Sequence, residues 1–323
     1  MRIRLFLISL LGFGSFAAGI LNANALSLNP PIFEFSMSPG ERVEDVIKVF
    51  NDSQSAITLR PEKTNFTAKA DDELSGVPDF YPADEVRTGR ELAPWIGVAD
   101  ADMRFEALTR QDLPFSITVP EDASPGSYFG GVILRSGQDA ERGVGLVTGT
   151  AVLMLVKVEG DVVEEATLTD FSVSSEVLTH LPARFQARVA NEGTVHLQPT
   201  GSIEIVNLFG KTVGSVPVNP GLRSVLPESA RRYDALWGEE HDEGVSAFMK
   251  QWDGFRFGRY TATLRLSYGE EGKTLVASTT FWVVPWMALG ASLLGITLFI
   301  FGIQAFFAWY AKRVIKKHRQ TEK

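Results

Sequence analysis

The chain has 323 residues, with 31 Lys and Arg against 39 Asp and Glu for a formal net charge of −8, and it contains no cysteine. Such an acidic balance repels polyanions and argues against nucleic acid as a partner. The missing thiols exclude disulfide staples and cysteine nucleophiles, so the folded part must be held by core burial alone.

Arg2 and Arg4 precede an apolar run over 5–21 that closes on Ala23-Asn24-Ala25, a small-x-small cleavage pattern. Residues 1–25 are therefore expected to be a signal peptide, with an uncleaved N-terminal anchor as the alternative. Leaving out Arg2, Arg4 and the six basic and one acidic residues after Tyr310, 23 basic face 38 acidic residues, a net of −15 for the exported part. That surface favours cationic partners or divalent ions over anionic wall polymers.

From Leu26 onward, short runs rich in Val, Ile, Phe and Thr alternate with polar residues and are separated by Pro, Gly, Asn and Asp, the pattern of antiparallel strands closing into sandwiches. Residues 26–158 are expected to form a first sandwich. Its opening run, 26–38, holds Pro30 and Pro31; proline cannot donate to a ladder, so this run should be an edge strand that bends or changes sheet there. Strands are expected at 43–50, 56–66, 113–119, 126–134 and 146–158, with Asn51-Asp52-Ser53 as a turn cluster. Between Thr67 and Ala93 the alternation fails. Asp71, Asp72, Glu73, Gly76, Pro78, Pro82 and Gly89 make a polar excursion with little to bury, and that length points to a functional or mobile loop. The paired Gly130-Gly131 is expected to admit a close backbone neighbour.

Glu159-Gly160-Asp161 is the expected hinge, and residues 162–284 the second sandwich. Strands at 166–173, 183–191, 201–206, 213–218, 229–236, 258–267 and 274–284 suit one immunoglobulin-like domain. The stretch 238–255, acidic first and then aromatic, is expected to be a loop with a short helix. Trp237, Phe248, Trp252, Phe255 and Phe257 could form a sugar-stacking platform; the expectation is that they plug the open end of the second sandwich.

After Pro285 comes an uncharged apolar segment, 286–308, of about 34 Å as a helix, enough to cross a hydrocarbon core of roughly 30 Å. Trp286 at one end and Trp309 and Tyr310 at the other match interfacial aromatic belts, and the basic residues of 309–323 match a cytoplasmic flank. A single-pass type I topology follows: the sandwiches outside, extracellular or periplasmic, and the tail in the cytoplasm.

Catalytic and metal chemistry is thinly provided. His180, His196 and His241 are the histidines of the exported part, none lies near a Gly-x-Ser-x-Gly elbow, and all are expected to be ordinary surface residues. His241 with Glu239, Glu240, Asp242 and Glu243 lacks the HExxH spacing of a zinc site. Asp100, Asp102 and Glu106, or Asp71, Asp72 and Glu73, offer clustered oxygens to calcium, but neither fits an EF-hand loop, so the expectation is no cofactor, with calcium the alternative. Asn51 and Asn65 satisfy the glycosylation sequon and are expected to be turn residues.

Leu28-Asn29-Pro30-Pro31, Pro39-Gly40-Glu41, the run 49–53, Trp95-Ile96 and the run 119–131, together with the sandwich-plus-anchor layout, resemble bacterial surface proteins with a DUF916-type, or WxL-interacting, ectodomain. The resemblance covers the first domain best. It implies a non-enzymatic binding protein of the cell envelope whose partners are surface proteins or wall components. The fold expected is thus all-β: two tandem immunoglobulin-like β-sandwich domains plus one C-terminal transmembrane helix. Recognition is expected in the first domain, at the edge strand near Leu28, by strand addition, or at Asp71, Asp72, Glu73, Phe80, Tyr81 and Tyr128. The rival expectations are an envelope hydrolase or enzyme subunit using the 238–255 loop, and a chaperone-like assembly factor for surface proteins.

Overall fold

The computed structural model describes residues 26–69, 77–136, 149–239, 245–252 and 255–321, with side chains up to Tyr310. The expected signal segment, Asp71, Asp72, Glu73, His241 and Glu243 lie outside the described residues.

The first domain opens with β1 (Leu26–Asn29) and β2 (Ile32–Met37), separated by Pro30 and Pro31 after a cis Asn29-Pro30 bond. It continues through β3 (Arg42–Asn51), β4 (Ile57–Ala68), β5 (Pro78–Pro82), a 3-10 turn at Ala93–Trp95, β6 (Ile96–Val98), β7 (Met103–Phe105), β8 (Arg110–Thr118), β9 (Gly126–Ser136) and β10 (Gly149–Val158). One sheet runs β1-β3-β8-β6, and the facing sheet runs β2-β10-β9-β4-β5, with β7 also on β4. The prolines act as expected. Before them Leu28 pairs with Val49 on β3; after them β2 joins the other sheet, parallel to β10, with Phe33 opposite Met154. Alternation then supplies the core: Ile47, Val49, Leu113, Ile117, Val132, Val152, Met154 and Val156 point inward and are buried, each large aliphatic side chain contributing about 1.5–3 kcal/mol.

Part of the expected polar excursion is ordered. β4 extends to Ala68 and forms a hairpin ladder with β5, Thr64 opposite Pro82 and Phe66 opposite Phe80. The chain after β5 wraps around one carboxylate: Glu91 Oε1 accepts the backbone amides of Arg87 and Thr88, both at 2.8 Å, and the Tyr81 hydroxyl at 3.1 Å. Burial alone would raise the Glu91 pKa, but these bonds outweigh it and hold it below the ordinary value. Sequence alternation cannot show a loop organised by a single buried acid. Glu91→Gln is expected to loosen residues 83–92, read as faster amide exchange there. At Gly130 and Gly131 the close approach is real. A Cβ on Gly130 would lie 2.9 Å from both the Ala93 nitrogen and Leu92 Cβ, and one on Gly131 would lie 2.2 Å from the Val152 carbonyl oxygen of β10.

The second domain comprises β11 (Ala166–Val173), β12 (Val177–Leu178), β13 (Ala183–Asn191), β14 (Thr200–Asn207), β15 (Thr212–Val218), β16 (Ser229–Trp237), the short helix α1 (Ala247–Trp252), β17 (Gly258–Tyr268) and β18 (Lys273–Val283). Sheets β11-β13-β16 and β12-β18-β17-β14-β15 enclose Phe185, Val189, Ile203, Ile205, Leu264 and Phe281. The sequence-based strands agree within a residue or two, and the two-residue β12 is additional.

Both domains fix the loop after their second long strand with the same device. Asn51 ends β3, and its Nδ2 donates to the carbonyls of Ser55, Phe105 and Glu106, while its Oδ1 accepts the Ser53 amide. Asn191 ends β13, and its Nδ2 donates to Val195 and Val225, while its Oδ1 accepts the Gly193 amide. In each case the side chain joins residues two and four positions on. Asn51 and Asn65 are fully buried, which removes both sequons from any glycan-accepting surface.

The final helix, α2 (Trp286–Thr321), is longer than expected: the basic residues of the tail extend it past 308. Lys and Arg are good helix formers, so the positive flank does not end it. Its stretch from Trp286 to Tyr310, 25 residues, is long and apolar enough to cross a membrane, and almost all of its side chains are exposed.

Candidate functional site

The two domains meet across a bonded joint. Ser127, fully buried on β9, donates its backbone amide to the Thr194 carbonyl at 3.0 Å; its Oγ accepts the His196 amide at 3.0 Å and lies 2.7 Å from His196 Nδ1. With Oγ already accepting an amide, the hydroxyl proton is directed to Nδ1, as suits a neutral imidazole. The Glu34 carboxylate on β2 accepts Gln198 Nε2 at 2.8 Å on each oxygen, and Lys157 at the end of β10 reaches Glu270 at 2.5 Å. Ser38 Oγ donates to Glu159 beside the linker at 2.8 Å. The expected hinge is thus spanned by contacts on either side of it.

His196 is not the surface residue that the sequence suggested. Burial lowers its pKa, Glu34 opposing this and Lys157 assisting. Relative to an unfolded value of about 6.5, the folded state then binds the proton less readily than the unfolded one. Its stabilising contribution is complete above about pH 6.5 and declines as pH falls from there toward the lowered folded value. The expected result is a thermal transition of the full chain that drops between about pH 7 and pH 5, with a weaker drop in His196→Gln, checked by scanning calorimetry.

The Ser127–His196 pair does not resemble a nucleophile and its base: Ser127 has no exposed surface, and a nucleophile must meet substrate. Its geometry is that of a structural joint.

Beside this joint lies a cleft of about 390 Å³. Its floor is the outer face of the second sheet of domain one: Ile32 on β2, Leu153 and Leu155 on β10, and Phe66 on β4. Its roof is the 221–231 segment of domain two, which brings Leu222, Leu226 and Arg231 over that floor. Phe66, Phe129 and Leu155 are buried together with Leu226 against them, so an apolar patch on the outside of one sandwich becomes an interface. The roof is conformationally unusual. Of the four described non-glycine residues with positive φ, three are Asn219 (55°), Leu222 (50°) and Glu228 (56°); for a side chain such as leucine this costs roughly 1–2 kcal/mol, and strain of this kind clusters at binding sites. Asn219 holds the segment, donating to the Pro199 and Arg223 carbonyls and accepting the Arg223 amide. Burial lowers the pKa of Arg231, with Tyr233 opposing the shift and Arg223 assisting it.

Domain one leaves an edge open over β1 and β2, and of the two it is β2 that lines the cleft, through Ile32 and Glu34. β1 pairs only with β3 and β2 only with β10, so across Leu26–Met37 each strand has one unpartnered side among the described residues.

The sequence-selected residues separate into two groups. Leu28 lies on that open edge, its side chain half-buried against the core. Phe80, 37% exposed, stands on β5 with its ring 6.1 Å from Phe66 at the cleft. Tyr81 is buried, and its hydroxyl, pushed up to about 12 chiefly by that burial, serves Glu91. Tyr128 is buried too, its ring 4.2 Å from Trp95 and its hydroxyl on the Ser124 carbonyl. Neither tyrosine presents a contact surface. Asp100 and Glu106 turn to Arg60 and Arg104 at 2.9 and 2.8 Å, and among the described residues no three His, Asp or Glu gather around a metal position. The cleft itself was missed because strands that are distant in sequence build it; the available signal was the apolar outer face of β10, where Leu153 and Leu155 alternate with the inward Val152, Met154 and Val156.

No family model and no curated protein matches the chain. Solved structures with a similar layout include the class 5 fimbriae chaperone CfaA (10% identity, 79% of this chain and 99% of that one, TM-score 0.36), the Pseudomonas aeruginosa CupB2 chaperone (11%, 78% and 98%, 0.34) and the E. coli chaperone DraB (12%, 81% and 98%, 0.33). At such distances the likeness concerns the β-sandwich fold alone.

Proposed function

We propose that this chain is a membrane-held, non-enzymatic binding protein of the cell envelope, and that its two sandwiches act as one head taking an extended segment of a surface protein. The observation that carries the proposal is the open edge over Leu26–Met37, whose β2 part lines the apolar cleft. An unpaired edge offers backbone bonds to an added strand, and alternate side chains of that strand would fall into the cleft. Such a site suits a partner whose own sheet is incomplete, which favours an assembly or chaperone-like role over static adhesion. The first domain's resemblance to WxL-interacting ectodomains points to the same class of partner. The exported part, with its net negative charge, makes direct capture of anionic wall polymers the weaker choice.

The test is site-specific photocrosslinking in cells, with a photoreactive side chain replacing Ile32 or Glu34 and, as a control, Phe209 at the far end of domain two. One discrete adduct with a surface protein is expected from 32 and 34, absent from 209 and lost when Leu153→Arg fills the cleft. Equal labelling from all three positions, or an adduct indifferent to Leu153→Arg, would reject the proposal.

A further inference from the structure

Domain two carries exposed apolar residues at the end from which α2 departs. β17 and β18 pair from Tyr268 and Lys273 at one end to Gly258 and Val283 at the other. Glu270 in the turn between them meets Lys157 of domain one, so domain one and α2 leave domain two from opposite ends, separated by the 11 residues of β18, about 36 Å.

At the α2 end, two elements remote in sequence present apolar side chains to solvent. β14 reaches this end through the Asn207–Tyr260 pair, and the turn that follows exposes Leu208 by 66% and Phe209 by 90%. Helix α1 is fastened there as well. Gln251, only 3% exposed, accepts the Met287 amide at 2.8 Å and the Ala288 amide at 3.3 Å, satisfying two of the four amides that a helix start leaves unpaired. That bond fixes α1 beside the first turn of α2, with Met249 54% and Trp252 56% exposed. The sequence-based plug is therefore corrected: Trp237 is buried against Tyr260 and Phe281, but Phe248, Trp252, Phe255 and Phe257 face outward. A water-facing surface has no physical reason to gather such residues around one helix base.

The length of α2 supplies the occupant. The 25-residue apolar stretch spans about 37 Å, more than a hydrocarbon core of roughly 30 Å, so Trp286 lies at the headgroup level, and Gln251, bonded one residue further on, lies there too. Aromatic side chains are favoured at that boundary, apolar body inward and polar edge toward water.

We infer that the Phe209 turn and α1 form an interfacial foot that inserts into the headgroup region of the bilayer that α2 crosses, seating domain two on the membrane and holding the cleft at a fixed height. The inference rests on the proposed spanning role of α2.

Because the chain lacks cysteine, single labels can be placed on the full protein. Lys211→Cys and Lys250→Cys put a fluorophore beside the foot without removing its aromatics, Leu298→Cys marks mid-α2, and Val86→Cys marks domain one. In phosphatidylcholine nanodiscs, lipids with a nitroxide high on the acyl chain should quench 211 and 250 several-fold more than 86, and Phe209→Ser with Trp252→Ser should reduce that quenching. A nitroxide deep on the acyl chain should quench 298. Quenching at 298 with 211 and 250 no different from 86 overturns the foot while the span stands. No quenching at 298 removes the span and the foot together. Labels at 211 and 250 that are shielded from aqueous iodide yet untouched by either lipid would assign the surface to a second copy of the chain, and that too overturns the inference.

Discussion

Replacing Asn51 with alanine should destabilise the first domain by about 3 kcal/mol, because one substitution removes the donor shared by the Ser55, Phe105 and Glu106 carbonyls and the acceptor of the Ser53 amide. Each lost bond is worth roughly 1 kcal/mol, and the loss is limited because the Ser55 carbonyl keeps the Ser53 hydroxyl and the Glu106 carbonyl keeps the Thr109 hydroxyl. For a domain of this size the shift should appear as a fall of about 10 °C in its thermal transition. Asn51→Asp should do no better: it restores the acceptor for Ser53 but turns the donor into an anion facing three carbonyls. If circular dichroism melts of Asn51→Ala coincide with those of the parent, the loop after β3 is not organised by this side chain. Asn191→Ala tests the same device in the second domain and should lower that domain's transition, since the loop it fixes also carries Thr194 and His196 to the joint.

Gly131→Ala should be the more damaging of two glycine substitutions that look alike on paper. Its Cβ would sit 2.2 Å from the Val152 carbonyl oxygen, a backbone atom of the neighbouring strand in the central β9–β10 ladder. No rotamer change relieves that contact. The strands must separate, and a shift of that kind in a packed interior costs about 3 kcal/mol or more. Gly221→Ala, in the cleft roof, is the matched control: nothing lies within 4 Å of its Cβ and its backbone is not left-handed, so the change should stay within about 0.5 kcal/mol. Soluble yield and melting temperature separate the cases. Similar behaviour of the two variants would show that the β9–β10 spacing can yield.

The fold was legible where alternation is strict. β11 and β13 match their sequence-based bounds, and Pro30-Pro31 foretold the change of sheet because proline limits a ladder in a way that tertiary packing cannot undo. Legibility failed where a single side chain or a joint between domains organises a segment. The 83–92 loop looked unstructured because its order comes from Glu91, whose shortest bonds are to backbone amides that carry no sequence signature. His196 looked like a surface residue because its burial depends on a joint between domains, and the cleft stayed hidden for the same reason. Of the chosen contact residues, Leu28 fell on an open edge because the proline argument was topological. Tyr81 belongs to the polar excursion and Tyr128 to the 126–134 strand, and aromatic side chains with a polar tip are as often core residues with one satisfied hydroxyl.

The most direct measurement is the sidedness of the chain in the membrane. With no native thiol, Val86→Cys in domain one, 76% exposed, and Lys323→Cys in the tail can each be treated with a membrane-impermeant maleimide in cells stripped to the cytoplasmic membrane. Labelling of 86 at once, and of 323 only after the membrane is opened, is the predicted result. Immediate labelling of 323, or an 86 that reacts only after permeabilisation, would contradict a binding head held outside the cell by α2.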